Sequence, residues 1–207
     1  MVSKAKRPQH ILKTALGLAA EAPWSSISLR DIAEAASVSP SEIYTLYPSK
    51  IAIVKAYFIS VDAAVLETKF GFEAEDSPRD RLFEVLMRRF DALSDDRKSV
   101  LSILTTLRCD PVSALCLSGS LCSSMGWMLE ASAIPSSWPN GRLTVNGLVA
   151  LWLVTLRAWQ RDESEDMAHT MAVLDKNLRR AERLRLMLPS ALHRRRTEDP
   201  QPNAASA

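Results

Sequence analysis

One short segment, Ser39 to Tyr47, is rich in hydrogen-bonding side chains and contains no Lys or Arg. Hydroxyl and carboxylate groups of this kind can bond to the base edges and sugar-phosphate backbone of nucleic acids. Elsewhere the sequence has no glycine-rich phosphate loop, no His-Glu metal motif, and no serine or cysteine in a nucleophile context. The pattern therefore indicates recognition rather than catalysis, and we expect no enzyme activity, no cofactor and no metal site.

Two short helices joined by a turn would position this segment. Ser39 is a good N-cap, Pro40 suits the first helical position, and Pro48 ends the second helix. In a helix-turn-helix the second helix enters the DNA major groove. The first helix would be capped by Ser28, and its apolar residues recur at helical spacing: Leu29, Ile32, Ala33 and Ala36.

The same stretch resembles the N-terminal domain of TetR-type transcriptional regulators. The resemblance covers roughly residues 1 to 60, and beyond them only length and helical content agree. It implies an all-α fold with a three-helix helix-turn-helix head at 1–48 and an effector-binding and dimerisation body at 49–190. The composition of the last residues predicts a disordered tail at 191–207. The resemblance is carried by the hydroxyl cap before Leu29, Asp31-Ile32-Ala33, Ala36, Val38-Ser39, Ile43-Tyr44, Tyr47 and Ser49-Lys50.

Contacts with double-stranded DNA follow from this resemblance. The family's matching tyrosine and lysine imply that Tyr44 and Lys50 hold the DNA backbone, and the N-terminal part of the second helix would face base edges. The complete set of expected DNA-binding residues is Arg30, Ser39, Pro40, Ser41, Glu42, Tyr44, Thr45 and Lys50.

Two residues depart from the family pattern. Ser37 stands where the turn usually has glycine, and a positive φ there would cost serine about 1 kcal/mol relative to glycine. Glu42 stands at a position that is usually small or hydroxylated. Its carboxylate would either repel phosphate or accept a hydrogen bond from a cytosine amino group.

Charge and composition set the remaining limits. The 207 residues carry a net charge of only +2, so nucleic-acid affinity must come from local patches. Lys4, Lys6, Arg7 and Lys13 form either an arm along phosphates or a solubilising tail. We find no signal peptide and no run of about eighteen apolar residues, which predicts a cytoplasmic protein without membrane insertion. Cysteines Cys109, Cys116 and Cys122 are expected to be reduced and buried.

The body is expected to contain a long helix over 49–70, helices opening at Pro78 and Asp95, and a nearly uncharged helix over 111–133. An apolar, uncharged helix is typical of a buried core. Its Ser, Cys, Gly and Met residues also suit an adaptable cavity, so core packing and a pocket for a small apolar effector both stay open. The candidate pocket residues are Phe83, Met87, Leu104, Met125, Met128 and Trp152.

Two amphipathic helices, over 142–160 and 164–188, end the folded part. In the resembled family the last two helices pair with their copies in a homodimer, although burial against the chain's own body explains the same pattern. The basic stretch over 176–196 would contact DNA or lipid, or complement helix C-termini. The expected interface residues are Leu148, Trp152, Leu156, Trp159, Met171, Leu174 and Leu178.

The sequence therefore predicts a ligand-responsive repressor that binds a palindromic operator as a dimer. The alternative comes from the absence of basic residues in the second helix, which would suit a protein that has lost DNA binding. The helices rich in Trp and Met are faintly similar to ubiquinone-biosynthesis accessory proteins, which share this fold and bind lipid or isoprenoid.

Overall fold

The computed structural model describes residues 6–134 and 141–187, with side chains up to residue 183. Within these ranges the chain is all-α and has no strand. The predicted tail at 191–207 lies outside the described residues, as does the end of the basic stretch. In chain order the elements are α1 (Arg7–Glu21), a 3₁₀ turn (Trp24–Ser26), α2 (Leu29–Ala35), α3 (Pro40–Leu46), α4 (Lys50–Leu66), α5 (Pro78–Ser94), α6 (Arg97–Cys109), α7 (Pro111–Ala131), α8 (Gly141–Arg161) and α9 (Ala168–Met187).

Serine caps begin α2 and α3 of the head where the sequence predicted them. The Ser28 hydroxyl accepts the Asp31 N–H at 3.1 Å, while the Asp31 carboxylate accepts the Ser28 N–H at 2.8 Å, a complete capping box. Ser39 accepts the Glu42 N–H at 3.2 Å and so starts α3. These bonds satisfy amide groups that a helix start otherwise leaves without intrahelical partners.

The turn between α2 and α3 is a Schellman motif centred on Ser37. The Ser37 N–H bonds to the Glu34 carbonyl at 3.0 Å, and the Val38 N–H bonds to the Ala33 carbonyl at 3.0 Å. This geometry places Ser37 at φ 53°, in the left-handed region where glycine is favoured. The strain expected from the missing glycine is therefore present.

Helix α1 belongs to the head and to the body at once. One side buries Ile11 and Ala15 in the apolar core, and the other side lies against α6. There the Ser99 hydroxyl donates to the Leu16 carbonyl at 2.7 Å. The Ser102 hydroxyl donates to the Ala22 carbonyl at 3.2 Å and accepts the Trp24 N–H at 2.8 Å. Body helix α6 thus fixes the turn that leads into α2.

A buried cation lies at the centre of the body. Arg89 of α5 is 1% exposed, and its Nε donates to the Asp62 carboxylate of α4 at 2.9 Å. Its Nη2 donates to the Ser124 hydroxyl of α7 at 3.0 Å, and its guanidinium carbon lies 4.3 Å from the ring centroid of Trp152 in α8. Burial lowers the pKa of Arg89, and the Asp62 carboxylate opposes that shift.

The α8 and α9 side chains that we expected at a dimer interface mostly pack inside the subunit. Leu148, Trp152, Trp159, Leu174 and Leu178 are buried, and Leu156 and Met171 are half-buried. Trp152 stacks on Phe90 of α5 with ring centroids 4.4 Å apart, and Trp159 donates from Nε1 to the Ser94 hydroxyl at 3.2 Å. The buried residues are therefore not available to a second chain, because the apolar stripe covers α5 and α7.

The opposite side of α8 remains apolar and exposed. Leu143 and Val154 are 70% and 53% exposed, and Gly147 and Ala150 between them are exposed as well. Spacings of four, three and four place these residues on one helix face. We call Leu143, Gly147, Ala150 and Val154 the α8 outer stripe.

Two helix boundaries differ by four residues from the predicted ones, and the others by at most two residues. Helix α4 ends at Leu66 rather than at residue 70, and Phe70 stacks on Phe72 with centroids 5.2 Å apart. Helix α9 begins at Ala168 rather than at 164, because Asp162 organises the preceding turn. Its carboxylate accepts the Thr170 N–H and hydroxyl, both at 2.7 Å. Burial alone would raise the pKa of Asp162, but bonds from Ser164 and Thr170 outweigh it and lower that pKa.

The cysteines of α6 and α7 and the surface of α7 are more exposed than expected. Cys109 at the end of α6 and Cys116 in α7 are exposed, and Cys122 is half-buried, so the prediction of buried cysteines was wrong. Helix α7 is also long and apolar enough to cross a membrane by length and composition, with 22% of its most apolar window buried. Serines and glycines interrupt the apolar residues of this helix, so it contains no unbroken run of eighteen.

Replacing Ser37 by glycine should stabilise the protein, since glycine adopts the observed φ without steric cost. We expect the free energy of unfolding to rise by up to about 1 kcal/mol and the melting temperature by about 2–4 °C. Thermal unfolding followed by circular dichroism measures both. Ser25→Gly, at an exposed serine that is not among the positive-φ residues, is the matched control and should not stabilise. A lower melting temperature for Ser37→Gly would show that the turn carries no strain.

Candidate nucleic-acid interface

Helix α3 presents a polar surface on one side and packs into the head on the other. Ile43 is 2% exposed and points to the core, whereas Tyr44 is 72% exposed. The remaining exposed residues at the start and on the outer side of α3 are Ser39, Pro40, Ser41 and Thr45. The predicted contact residues of α3 therefore share an accessible surface, and Arg30 is exposed on the neighbouring α2.

Some of these polar groups already have partners within the head. The Thr45 hydroxyl donates to the Ser41 carbonyl at 2.9 Å, and the Ser39 hydroxyl caps α3. A hydroxyl that donates inside the helix still has lone pairs for an incoming donor. Ser39 and Thr45 thus combine a local structural role with access to the surface.

The first turn of α1 supports the helix-turn-helix from the side. The Tyr47 hydroxyl donates to the Pro8 carbonyl at 3.1 Å, and Nε2 of His10 lies 3.2 Å from the Ala36 carbonyl oxygen. Tyr47 is buried, and this burial raises the pKa of its hydroxyl. These contacts hold α1 against the end of α2 and the end of α3.

Glu42, the acidic residue that departs from the family pattern, forms an ion pair with Arg7 of α1. Arg7 Nη1 donates to Glu42 Oε1, and the two side chains are 32% and 25% exposed. The pair joins residues 35 positions apart, so no spacing rule in the sequence indicated it. The negative charge of α3 is therefore balanced by a cation from another helix.

Lys50 is bound by the head rather than extended into solvent. Its ammonium donates to the Trp24 carbonyl and lies 4.8 Å from the centroid of the Trp24 ring. Burial lowers the pKa of Lys50, while the nearby Asp31 charge opposes that shift. The lysine expected to hold the DNA backbone is thus partly desolvated in the free chain, and no spacing between Trp24 and Lys50 indicated this contact beforehand.

Two clefts in the described part of the chain lie away from the expected effector pocket. A cleft of about 860 Å³ lies between the head and α6, and a second of about 430 Å³ lies beside the α8–α9 turn. The candidate pocket residues line neither cleft. Met125, Met128 and Trp152 are buried in the apolar core, and Phe83, Met87 and Leu104 pack against it.

No cofactor-like centre accompanies this surface in the part of the chain that the structure describes. Within residues 6–134 and 141–187, no three His, Cys, Asp or Glu side chains come together as metal ligands. The accessible chemistry of the head consists of hydroxyl, carboxylate, ammonium and guanidinium groups. Such groups bind by hydrogen bonds and charge.

Comparison with known proteins finds a family-model match in the head. Residues 11–57 match the N-terminal domain described as "Bacterial regulatory proteins, tetR family". No curated protein matches the chain's sequence.

Three solved structures share the fold over most of the chain. The TetR transcriptional regulator from Nitrosomonas europaea ATCC 19718 has a TM-score of 0.68 and 27% identity, covering 84% of this chain and 97% of that one. A regulator from Rhodococcus sp. RHA1 has a TM-score of 0.62 and 18% identity, covering 86% and 97%. One from Streptomyces coelicolor has a TM-score of 0.59 and 17% identity, covering 89% and 85%. At such low identity the last two support the fold alone.

Both comparisons identify the head as a TetR-type domain. The structural similarity also covers most of the body. TetR-family regulators are DNA-binding transcription factors and not enzymes. The chain therefore carries the N-terminal domain of the tetR family on the fold of the TetR transcriptional regulators.

Proposed function

We propose that this chain is a cytoplasmic transcriptional repressor that binds a palindromic operator as a homodimer and is released by a small apolar effector. The main support for this proposal is the surface of α3, which exposes polar residues. Helix α3 begins at the Ser39 cap and lies inside the segment that matches the tetR family. A second helix presented in this way fits the DNA major groove.

The head residues divide into two roles in this proposal. Ser41 and Thr45 face base edges, because they are exposed at the start and on the outer side of α3, and Glu42 lies beside them in its ion pair with Arg7. Backbone contacts position the head without reading sequence, and they come from Arg30, Tyr44 and Lys50. Ser39 and Pro40 lie where the backbone of α3 approaches DNA most closely.

Dimerisation through the α8 outer stripe would supply the second head. Its exposed Leu143 and Val154 flank Gly147 and Ala150, whose small side chains allow a second helix to approach. An isologous contact brings the same stripe from each subunit together. The buried face of α8 then keeps its position against α5 and α7.

An apolar effector would have to enter the body through its existing core. Met87, Met125 and Met128 lie among the candidate pocket residues, and methionine side chains adapt readily to new neighbours. Opening this region would separate helices that Arg89 connects, which gives binding a route to the head through α4.

Lipid binding without DNA binding remains a second candidate because of helix α7. This helix is uncharged apart from Glu130, and it exposes Val112, Leu115 and Trp127 at 70%, 74% and 57%. A surface of this kind suits an apolar partner. The two candidates differ in whether the chain selects a DNA sequence.

Selection from a random pool of DNA duplexes tests the proposed function directly. We expect the chain to enrich a pseudo-palindrome whose half-sites are about one helical turn, roughly 34 Å, apart. A gel shift at several salt concentrations should then show a specific complex that weakens as salt rises. Enrichment of no sequence, together with binding to lipid vesicles, would favour the second candidate.

Removing the charge of Lys50 should weaken binding to every DNA sequence by a similar factor. Lys50→Met keeps an unbranched side chain of similar length beside Trp24 but removes the ammonium and with it one expected phosphate contact, so the salt slope should fall by about one unit. Lys55→Met, at an exposed lysine of the same helix, is the matched control for net charge. An unchanged salt slope in Lys50→Met would mean that the ammonium stays on Trp24 when DNA binds.

A charge in the α8 outer stripe should separate the subunits. Val154→Glu places two carboxylates in an isologous interface, and we expect the dimer dissociation constant to rise at least about tenfold, with operator binding lost. Light scattering should give twice 22.9 kDa for the parent chain and a monomer for the variant. Val112→Glu, at an exposed valine of α7, is the control and should remain dimeric. A parent chain that is monomeric at micromolar concentration would refute this interface.

A further inference from the structure

The ion pair between Arg7 and Glu42 changes how the acidic residue of α3 can act. Glu42 is at the third position of α3, where a carboxylate often turns back to the N-cap amide. Asp31 does this at the third position of α2, where it accepts the Ser28 N–H at 2.8 Å. Glu42 instead extends sideways to the Arg7 guanidinium. Two equivalent positions in one head therefore have different roles.

Arg7 stands on a backbone that is fixed against the helix-turn-helix. Its neighbour Pro8 accepts the Tyr47 hydroxyl at 3.1 Å, and His10 lies against the Ala36 carbonyl. Because α1 is anchored at both places, the guanidinium reaches Glu42 from a defined position. It is not carried by a freely moving arm.

The charge of the surface follows from this contact. Helix α3 contains no Lys or Arg, and Lys50 is held on Trp24. Arg7 therefore brings positive charge directly to the side of α3. A guanidinium has five N–H donors in a fixed fork, so one edge can hold a carboxylate while another faces a phosphate or a guanine.

We propose that Glu42 is a positioning residue that holds the Arg7 guanidinium beside α3, so that this cation contacts the DNA. The inference rests on the proposed DNA-binding function and assigns a different role to the unusual acid within it. Glu42 then increases DNA affinity through Arg7, although its own charge repels phosphate. Arg7 supplies one additional contact to an anionic or acceptor group of the duplex.

A double-mutant cycle on the selected duplex tests this inference, because it predicts that the effect of Glu42 changes sign with Arg7. In the parent chain, Glu42→Gln should weaken binding by about two- to fivefold, the range of an exposed ion pair. In an Arg7→Ala background, the same change should strengthen binding, since only repulsion is then removed. Arg7→Ala alone should lower the salt slope by about one unit.

The alternatives give different results in the same cycle. Stronger binding of Glu42→Gln in both backgrounds would mean that Glu42 only repels phosphate. Equal loss of preference at one operator position in both backgrounds would mean that Glu42 reads a base by itself. Either result would overturn the positioning role while leaving DNA binding intact. A parent chain that selects no duplex would instead overturn the proposed function, and this inference with it.

Two further variants control for net charge and for folding. Glu34→Gln removes an exposed acid of α2, and its effect should be the same with and without Arg7. The exchanged pair Arg7→Glu with Glu42→Arg restores the attraction and puts the cation on α3, so it should bind better than either single change. Circular dichroism and melting temperature verify that each variant keeps its fold. Binding no better than that of the single changes would count against the pair.

Discussion

Burial of the Arg89 guanidinium constrains four helices of the body at once, because α5 carries it and α4, α7 and α8 supply its partners. A buried charge without a partner costs several kcal/mol, and breaking a buried pair typically costs about 3–5 kcal/mol. Asp62, Ser124 and the Trp152 ring surround Arg89 from α4, α7 and α8. None of these helices can move far from α5 without removing part of that compensation. The group therefore fixes a relative arrangement that apolar contacts alone would leave less specific.

Helix α4 extends this constraint to the head. Asp62 lies near its C-terminal end and Lys50 at its start, so the residue that pairs with Arg89 and the residue that rests on Trp24 share one rigid element. On the other side, α6 holds α1 and the Trp24 turn through Ser99 and Ser102. Head and body are thus connected along two routes, and the segment near residue 48 is not a flexible linker. A displacement of α4 or α6 in the body would therefore shift the head helices that support α3.

Local chemistry made the head predictable and long-range pairing made the rest difficult. Caps such as Ser28 and Ser39 act within three residues, so the sequence indicates them directly. The strained turn at Ser37 is also local, and the missing glycine indicated it. Apolar periodicity located α8 and α9 but could not distinguish a face packed on Phe90 from a face for another subunit. The Arg7–Glu42 and Lys50–Trp24 contacts depend on tertiary geometry, which no spacing in the sequence encodes.

The same tertiary contacts explain how a chain of low net charge could still bind DNA. With a net charge of +2, binding cannot come from a general positive field, so each cation near α3 has to be placed accurately. Arg7 and Lys50 are both fixed by groups of the head, which reduces the entropy lost when they meet a duplex. Few contacts per head still mean weak binding by one subunit. In the proposed dimer, the first bound head would raise the effective concentration of the second, so the separation of the two heads would control operator choice together with the base contacts.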